Sequence, residues 1–384
     1  MKVSVLQESL AHGLNIVSRA VSSRSTLPVL SNILITTDEG RLRLSATNLE
    51  LGIICWIGAK IEEEGSTTVP SRTFGDLVST LIGQQQIDLS LTLRTQTLNV
   101  HSGASNTNIK CVDATEFPPM PKVDVNEGIS LPISEFKEMI QQVVFASSTD
   151  DARPVLTGVY VKTEGNKITL SAADGFRLSR SRAELPEPLP QPIAAIIPSR
   201  TLSELARILI DSEQTINMQI PDDRNQVIFT VGAMQDIQGV QIISQLIEGS
   251  YPNVEQVIPQ SHQTRTIVTT SALLKACKQA EIFAREGSNI VRINIVPGND
   301  EMLGKVEISG QSEETGFSQS DTEATIEGIP LLIAFNVRYL REALEIIKTP
   351  NVILETSAST SPGALFATGD SHFVHVIMPM HLGN

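Results

Sequence analysis

The sequence predicts an α+β fold made of three tandem repeats, each holding two copies of a helix followed by antiparallel strands. Three observations carry this. VPSRTFGDL at 69–77 returns as IPSRTLSEL at 197–205, and such self-similarity at a long offset marks duplicated structure. The apolar pattern switches from three-and-four spacing to alternation in the same order in each repeat. The chain's 384 residues also exceed the size at which a single core usually keeps growing.

The repeats align in detail. At an offset of 126, Pro28-Val29-Leu30 falls on Pro154-Val155-Leu156 and Leu44-Ser45-Ala46 on Leu170-Ser171-Ala172. FNVRYLREAL at 335–344 continues the register 138 residues beyond the second copy, so that Arg200 meets Arg338 and Glu204 meets Glu342. The polar stretches at 122–128 and 258–265 mark the junctions, giving domains at 1–122, 129–255 and 259–384. Each repeat opens on an amphipathic helix, at 5–20, 133–146 and 271–285. Alternating runs follow, such as LRLSATNLEL and VYVKTEGNKITLSA, with turn residues between them. A second helix comes next, at 71–82, 199–210 and 336–348. Ser71 and Ser199 stand at the expected N-caps, where Pro70 and Pro198 discourage an earlier start. LPEPLPQP at 185–192 reads as the connector between the halves of the second repeat.

Composition narrows the function. Only 4% of residues are aromatic, so aliphatic side chains must fill the core. The chain lacks a long uncharged apolar run and a signal-peptide core, which points to the cytoplasm. Cys55, Cys111 and Cys277 have no pairing pattern and read as buried thiols, with neither a disulfide framework nor a zinc site indicated. The net charge of −14 argues by itself against nucleic acid. The six helices, however, hold eleven basic against eight acidic residues, +3, which leaves −17 elsewhere. A helical face of that sign suits a phosphate backbone, although cations solvating outer helix faces are the ordinary alternative. With one Trp and three Tyr there is no aromatic platform, and no motif that reads bases.

No catalytic constellation is present: HExxH, GxxxxGK, GxSxG and GxGxxG are all missing. His372 and His375 lie three apart in an alternating strand and so point to opposite faces, which disfavours joint metal ligation. Asp150-Asp151 and Asp222-Asp223 read as solvated turn acids. The chain is therefore expected to be no enzyme and to need no metal or cofactor. A hydrolase using Asp150, Asp151 or His372 has no support from spacing, while a protein-interaction scaffold without a DNA role stays open as a second class. The apolar tail VIMPMHLGN reads as a last strand followed by a surface methionine pair, which suits a site accepting several peptides.

Over essentially its whole length the sequence resembles the bacterial DNA polymerase III β subunit, the sliding clamp. The matching stretches are TLPVLSNIL at 26–34, ATNLEL, AADGFRL, VPSRTF, IPSRT, GSYPNVEQVIP at 249–259, FNVRYL and MPMHL. The resemblance implies a DNA clamp fold and a head-to-tail homodimer closing a ring around duplex DNA, without sequence preference. It implies a cleft for linear motifs of the replicative polymerase, the clamp loader and repair or translesion polymerases. Carried over, that cleft falls on Arg153, Leu156, Ala173, Gly175, Phe176, Arg177, Leu178, Pro252, Val257, Asn336, Tyr339, Val376, Ile377, Met378, Pro379, Met380 and Leu382. DNA-facing cations would be Arg24 and Arg200, then Arg72, Arg207, Lys275, Lys278 and Arg338. The subunit interface would pair the edge strand Asn108–Val112, with Ile109, of one copy with the third domain of the other, around Ile282 and Phe283. The chain departs from the family at His381 and Gln256, where basic residues are common, at Pro154-Val155, where aromatics are common, and in its extension Gly383-Asn384.

Overall fold

The computed structural model describes residues 1–22, 27–81, 85–121, 128–185, 192–221, 225–286, 288–299 and 303–381. Six α-helices occur among them: α1 (Gln7–Ser18), α2 (Ser71–Thr80), α3 (Ile133–Val143), α4 (Ser199–Ile208), α5 (Thr270–Ala284) and α6 (Val337–Ile346). Each repeat runs strand, helix, four strands, helix, three strands, so the duplication in the sequence is a duplication of structure. Arg24, Asp222, Asp223, Leu382, the Gly383-Asn384 extension and most of the Pro-rich connector lie outside the described residues.

The helix starts differ from the serine caps expected. Strand Ser66–Pro70 runs directly into α2, so Pro70 takes the cap position, with φ −57°, and no side chain caps the helix. Ser71 is then the first helical residue and is buried. In the third repeat the cap position holds Asn336, whose side chain does accept the Arg338 backbone N–H at 3.0 Å. The opening strand Lys2–Leu6 also takes residues that the periodicity assigned to the first helix, because its backbone pairs on both edges, with Leu51–Glu63 and Gln86–Thr92.

Two compact units make up the chain, Met1–Lys137 with Glu204–Leu246, and Glu138–Ser203 with Ile247–Asn384. The middle repeat is thus divided between them. Each unit carries an antiparallel sheet of twelve described strands. In the first unit α1 lies beside α2 and packs on strands Arg41–Thr47 and Leu51–Glu63. The helix comes close to the sheet at Gly13, where a Cβ would stand 2.8 Å from Leu44 Cδ1. In the second unit α5 lies beside α6 and packs on Gly304–Ser312 and Gly316–Gly328, the backbone of Ala280 resting on Gly310. One face of strand Gly304–Ser312 buries Val306 and Ile308 against Leu273, Ala276, Leu340 and Leu344, the aliphatic core the composition requires.

Cys55 and Cys277 are buried, and burial pushes both thiols up to about 12. Cys111 is only half-buried, contrary to expectation, because it follows the sheet-edge strand Ser105–Lys110. No described helix is long and apolar enough to cross a membrane.

Candidate peptide cleft and cationic helix faces

The cleft residues are brought together in the second unit by a turn and a tail. Between strands Lys167–Ala173 and Arg177–Glu184, Asp174 Oδ1 accepts backbone N–H groups of Phe176 (2.8 Å) and Arg177 (3.0 Å). Gly175 takes the left-handed φ of 96° that this turn needs. Phe176 is thereby held out into solvent, 56% exposed. Strand Val374–Ile377 pairs with Arg177–Glu184, setting Leu178 opposite Val376 and Arg177 opposite Ile377. Beyond it, Met378 N donates to Phe176 O and Met380 N to Ala334 O, both at 2.8 Å, which pins the tail.

Ala173, Leu178 and Val376 are buried in one apolar cluster and Ile377 in another, while Leu156, Tyr339, Asn336, Met378, Pro379 and Met380 are half-buried. Arg153, Gly175, Pro252 and Val257 are exposed. Tyr251 OH accepts the Ala173 N–H at 2.9 Å, and its ring stacks on Tyr160 with centroids 5.2 Å apart.

Arg177 is a buried charge, only 7% exposed, whereas Arg153 is exposed. Its Nε donates to Asp174 Oδ2 (3.0 Å), Nη1 to Glu342 Oε2 (2.5 Å) and Nη2 to Phe145 O (2.6 Å). The guanidinium also lies 4.4 Å from the Tyr339 ring centroid. With three of its five N–H groups bonded within its own unit and little of it exposed, Arg177 supports the turn at Phe176. Burial raises the Glu342 carboxyl, but hydrogen bonds from Arg338 and Arg177 outweigh it and hold the pKa below its ordinary value. Phe145 and Glu342 were not among the expected site residues. The repeat of an acid at 204 and 342 was legible in the sequence; its meeting with Arg177 was not.

His375 is wholly buried in strand Val374–Ile377, with Nδ1 2.6 Å from Ser179 Oγ. Burial, and then the nearby Arg177 charge, lower its pKa to about 3, so the ring is neutral. His372 is exposed, so the two histidines do not share a site. No group of three or more metal-ligating side chains occurs among the described residues.

The expected DNA-facing cations that fall on described residues are all exposed: Arg72, Arg200, Arg207, Lys275, Lys278 and Arg338. Four have acids beside them: Arg72 with Asp76 (3.8 Å), Arg207 with Glu204 (2.8 Å), Lys278 with Glu345 (3.0 Å) and Arg338 with Glu342 (2.8 Å). Arg200 and Lys275 have no carboxylate within ion-pair distance among the described residues. Of the expected interface residues, Ile282 is 53% exposed and Phe283 half-buried. Ile109 points into its own unit and is 5% exposed, so at that edge Asn108 and Lys110 present their side chains instead.

Three copies of one helix-and-strand unit, with exposed cations on the second helices, define the DNA clamp class. Known proteins agree along the whole chain. The chain belongs to the DNA polymerase III beta subunit family, its N-terminal, central and C-terminal domain models matching residues 1–121, 130–253 and 255–381. It is 32% identical to the beta sliding clamp of Synechococcus elongatus, over 100% of both chains. It is 30% identical to that of Bacillus subtilis, over 99% of both. The crystal structure of the Bacillus subtilis clamp superposes with a TM-score of 0.90 at 29% identity, covering 100% of both chains. A Pseudomonas aeruginosa sliding clamp solved with bound griselimycin gives 0.90 at 25% identity, again covering 100% of both.

Proposed function

We propose that this chain is a replication processivity clamp, a non-catalytic ring of two head-to-tail copies that holds a polymerase on duplex DNA. One pairing rule carries the proposal. The last strand of the second repeat, Ile237–Gln245, pairs with the fourth strand of the first, Leu51–Glu63. The last strand of the third, Val374–Ile377, pairs with the fourth strand of the second, Arg177–Glu184. Among the described residues two strands are left without this partner: Ser105–Lys110, last in the first repeat, and the 316–323 stretch of Gly316–Gly328, fourth in the third. An open edge is a template for another chain, and a second copy applying the same rule at both ends closes a cycle. Ile282 and Phe317, 53% and 71% exposed, lie on α5 and on that open strand, where such a joint would cover them.

The three family-domain matches support domains at 1–122, 129–255 and 259–384, each one repeat. Exposed cations on α2, α4, α5 and α6, together with Arg24, supply weak phosphate attraction, while closure of the ring supplies retention, which is compatible with a net charge of −14. The trough from Arg153 to Met380, with Leu382 beyond it, receives a short motif bearing a leucine and an aromatic residue, and polymerases, the loader and repair factors share it. The deciding experiment loads the protein onto a nicked circular DNA and then cuts the circle away from the nick. Retention on the circle with release after cutting supports topological linkage; equal retention on both forms would mean ordinary affinity and no ring.

A further inference from the structure

The first unit contains a second version of the cleft. Asn48 Oδ1 accepts backbone N–H groups of Glu50 (3.1 Å) and Leu51 (2.7 Å), as Asp174 does for Phe176 and Arg177. Leu49 adopts a φ of 78° where Gly175 has 96°. Gln245 N donates to Glu50 O at 2.9 Å, as Met378 N donates to Phe176 O. Gly52 stands opposite Ile243 as Leu178 stands opposite Val376. Position by position, Leu49, Glu50, Gly52, Ile243 and Gln245 therefore replace Gly175, Phe176, Leu178, Val376 and Met378.

At this place lies a pocket of about 170 Å³, walled on one side by the Pro118–Pro121 segment. A cavity of roughly 150 Å³ takes a benzene ring, so the pocket has room for one large side chain. Its lining is apolar on Leu49, Met120 and Ile243, and Glu50 is its one charged residue among the described residues. Met120 Cε would lie 2.5 Å from a Cβ at Gly52, so this flexible thioether covers the space that Leu178 fills in the other unit. Glu50 is exposed and has no cation within ion-pair distance among the described residues.

We infer that this pocket is a second peptide-binding site, which takes one aliphatic or aromatic side chain of an extended peptide with a basic residue next to it. The apolar pocket selects the anchor, and Glu50, standing where the other cleft has Phe176, selects the charge. The prolines hold one wall in place before binding, which lowers the ordering cost. The inference rests on the reading of the Arg153–Met380 trough as a peptide cleft.

The test is methyl NMR on the full chain with labelled Ile and Met, titrated with acetyl-Lys-Leu-Phe-Lys-amide. Ile243 and Met120 methyls are expected to shift saturably in the native chain and also in a Met378→Ala, Met380→Ala variant. Glu50→Lys should weaken that response about fivefold, the scale of one exposed ion pair, and leave the Ile377 response unchanged. If Ile377 and Met380 respond while Ile243 and Met120 stay still at millimolar peptide, the second site is refuted and the principal cleft stands. If Ile243 and Met120 alone respond, the second site stands and the principal cleft reading fails. If neither pair responds, both fail.

Discussion

Arg177 Nη1 lies 2.5 Å from Glu342 Oε2, and this pair ties the turn that presents Phe176 to helix α6. Arg338 holds the other oxygen of the same carboxylate at 2.8 Å. Glu342→Gln should cost about 2 kcal/mol, the scale of a hydrogen bond to a charged group. It should also loosen the cleft wall, lowering affinity for a polymerase-derived peptide. Urea unfolding and peptide titration read the two effects separately; unchanged peptide affinity would mean that the pair supports the fold alone.

Met378 and Met380 are half-buried at the trough, held by backbone bonds that their side chains do not share. Their joint replacement by Ala should reduce peptide affinity at least tenfold, because the peptide then buries less apolar surface, with the dimer unaffected. Fluorescence anisotropy and sedimentation measure these outcomes.

His375 makes stability depend on pH. Its folded pKa of about 3 lies below the ordinary 6.5, so between those values the unfolded chain binds the extra proton. Stability is full above pH 6.5 and falls as pH drops through the window towards 3. From pH 6.5 to 5 the loss should be about 2 kcal/mol for one proton. His375→Gln should flatten this slope above the carboxylate range. Hydrogen exchange in strand Val374–Ile377 at pH 7 and 5 checks it.

Ile282 and Phe317 are exposed apolar residues in the third repeat. Ile282→Asp with Phe317→Asp should favour monomers while changing the stability of each monomer by no more than about 0.5 kcal/mol per site, as for surface positions generally. Analytical ultracentrifugation decides; an intact dimer would place the interface elsewhere.

Arg200 and Lys275 have no acid beside them, unlike the other described helix cations considered for DNA binding. Replacing both by Glu should weaken DNA binding of the free protein and reduce its log-log salt slope by about one for each phosphate no longer neutralised. Replacing Arg72, already next to Asp76, should do less.

The sequence by itself determined the threefold repeat and the six helices, because the periodicity that marks a helix acts over a few residues and the repeat shows by self-similarity. It also marked the apolar tail as a last strand, which is Val374–Ile377. It did not determine that the last strands of the second and third repeats, while paired within their own repeats, also pair with the repeat before, since alternation says which face is buried and not which edge is met. Nor could it place Ile109 inward, bury Arg177 as a support, or set Glu342 between two arginines. Such outcomes depend on groups distant in the chain meeting in space, 165 residues apart for Arg177 and Glu342, and only the packed tertiary structure decides them.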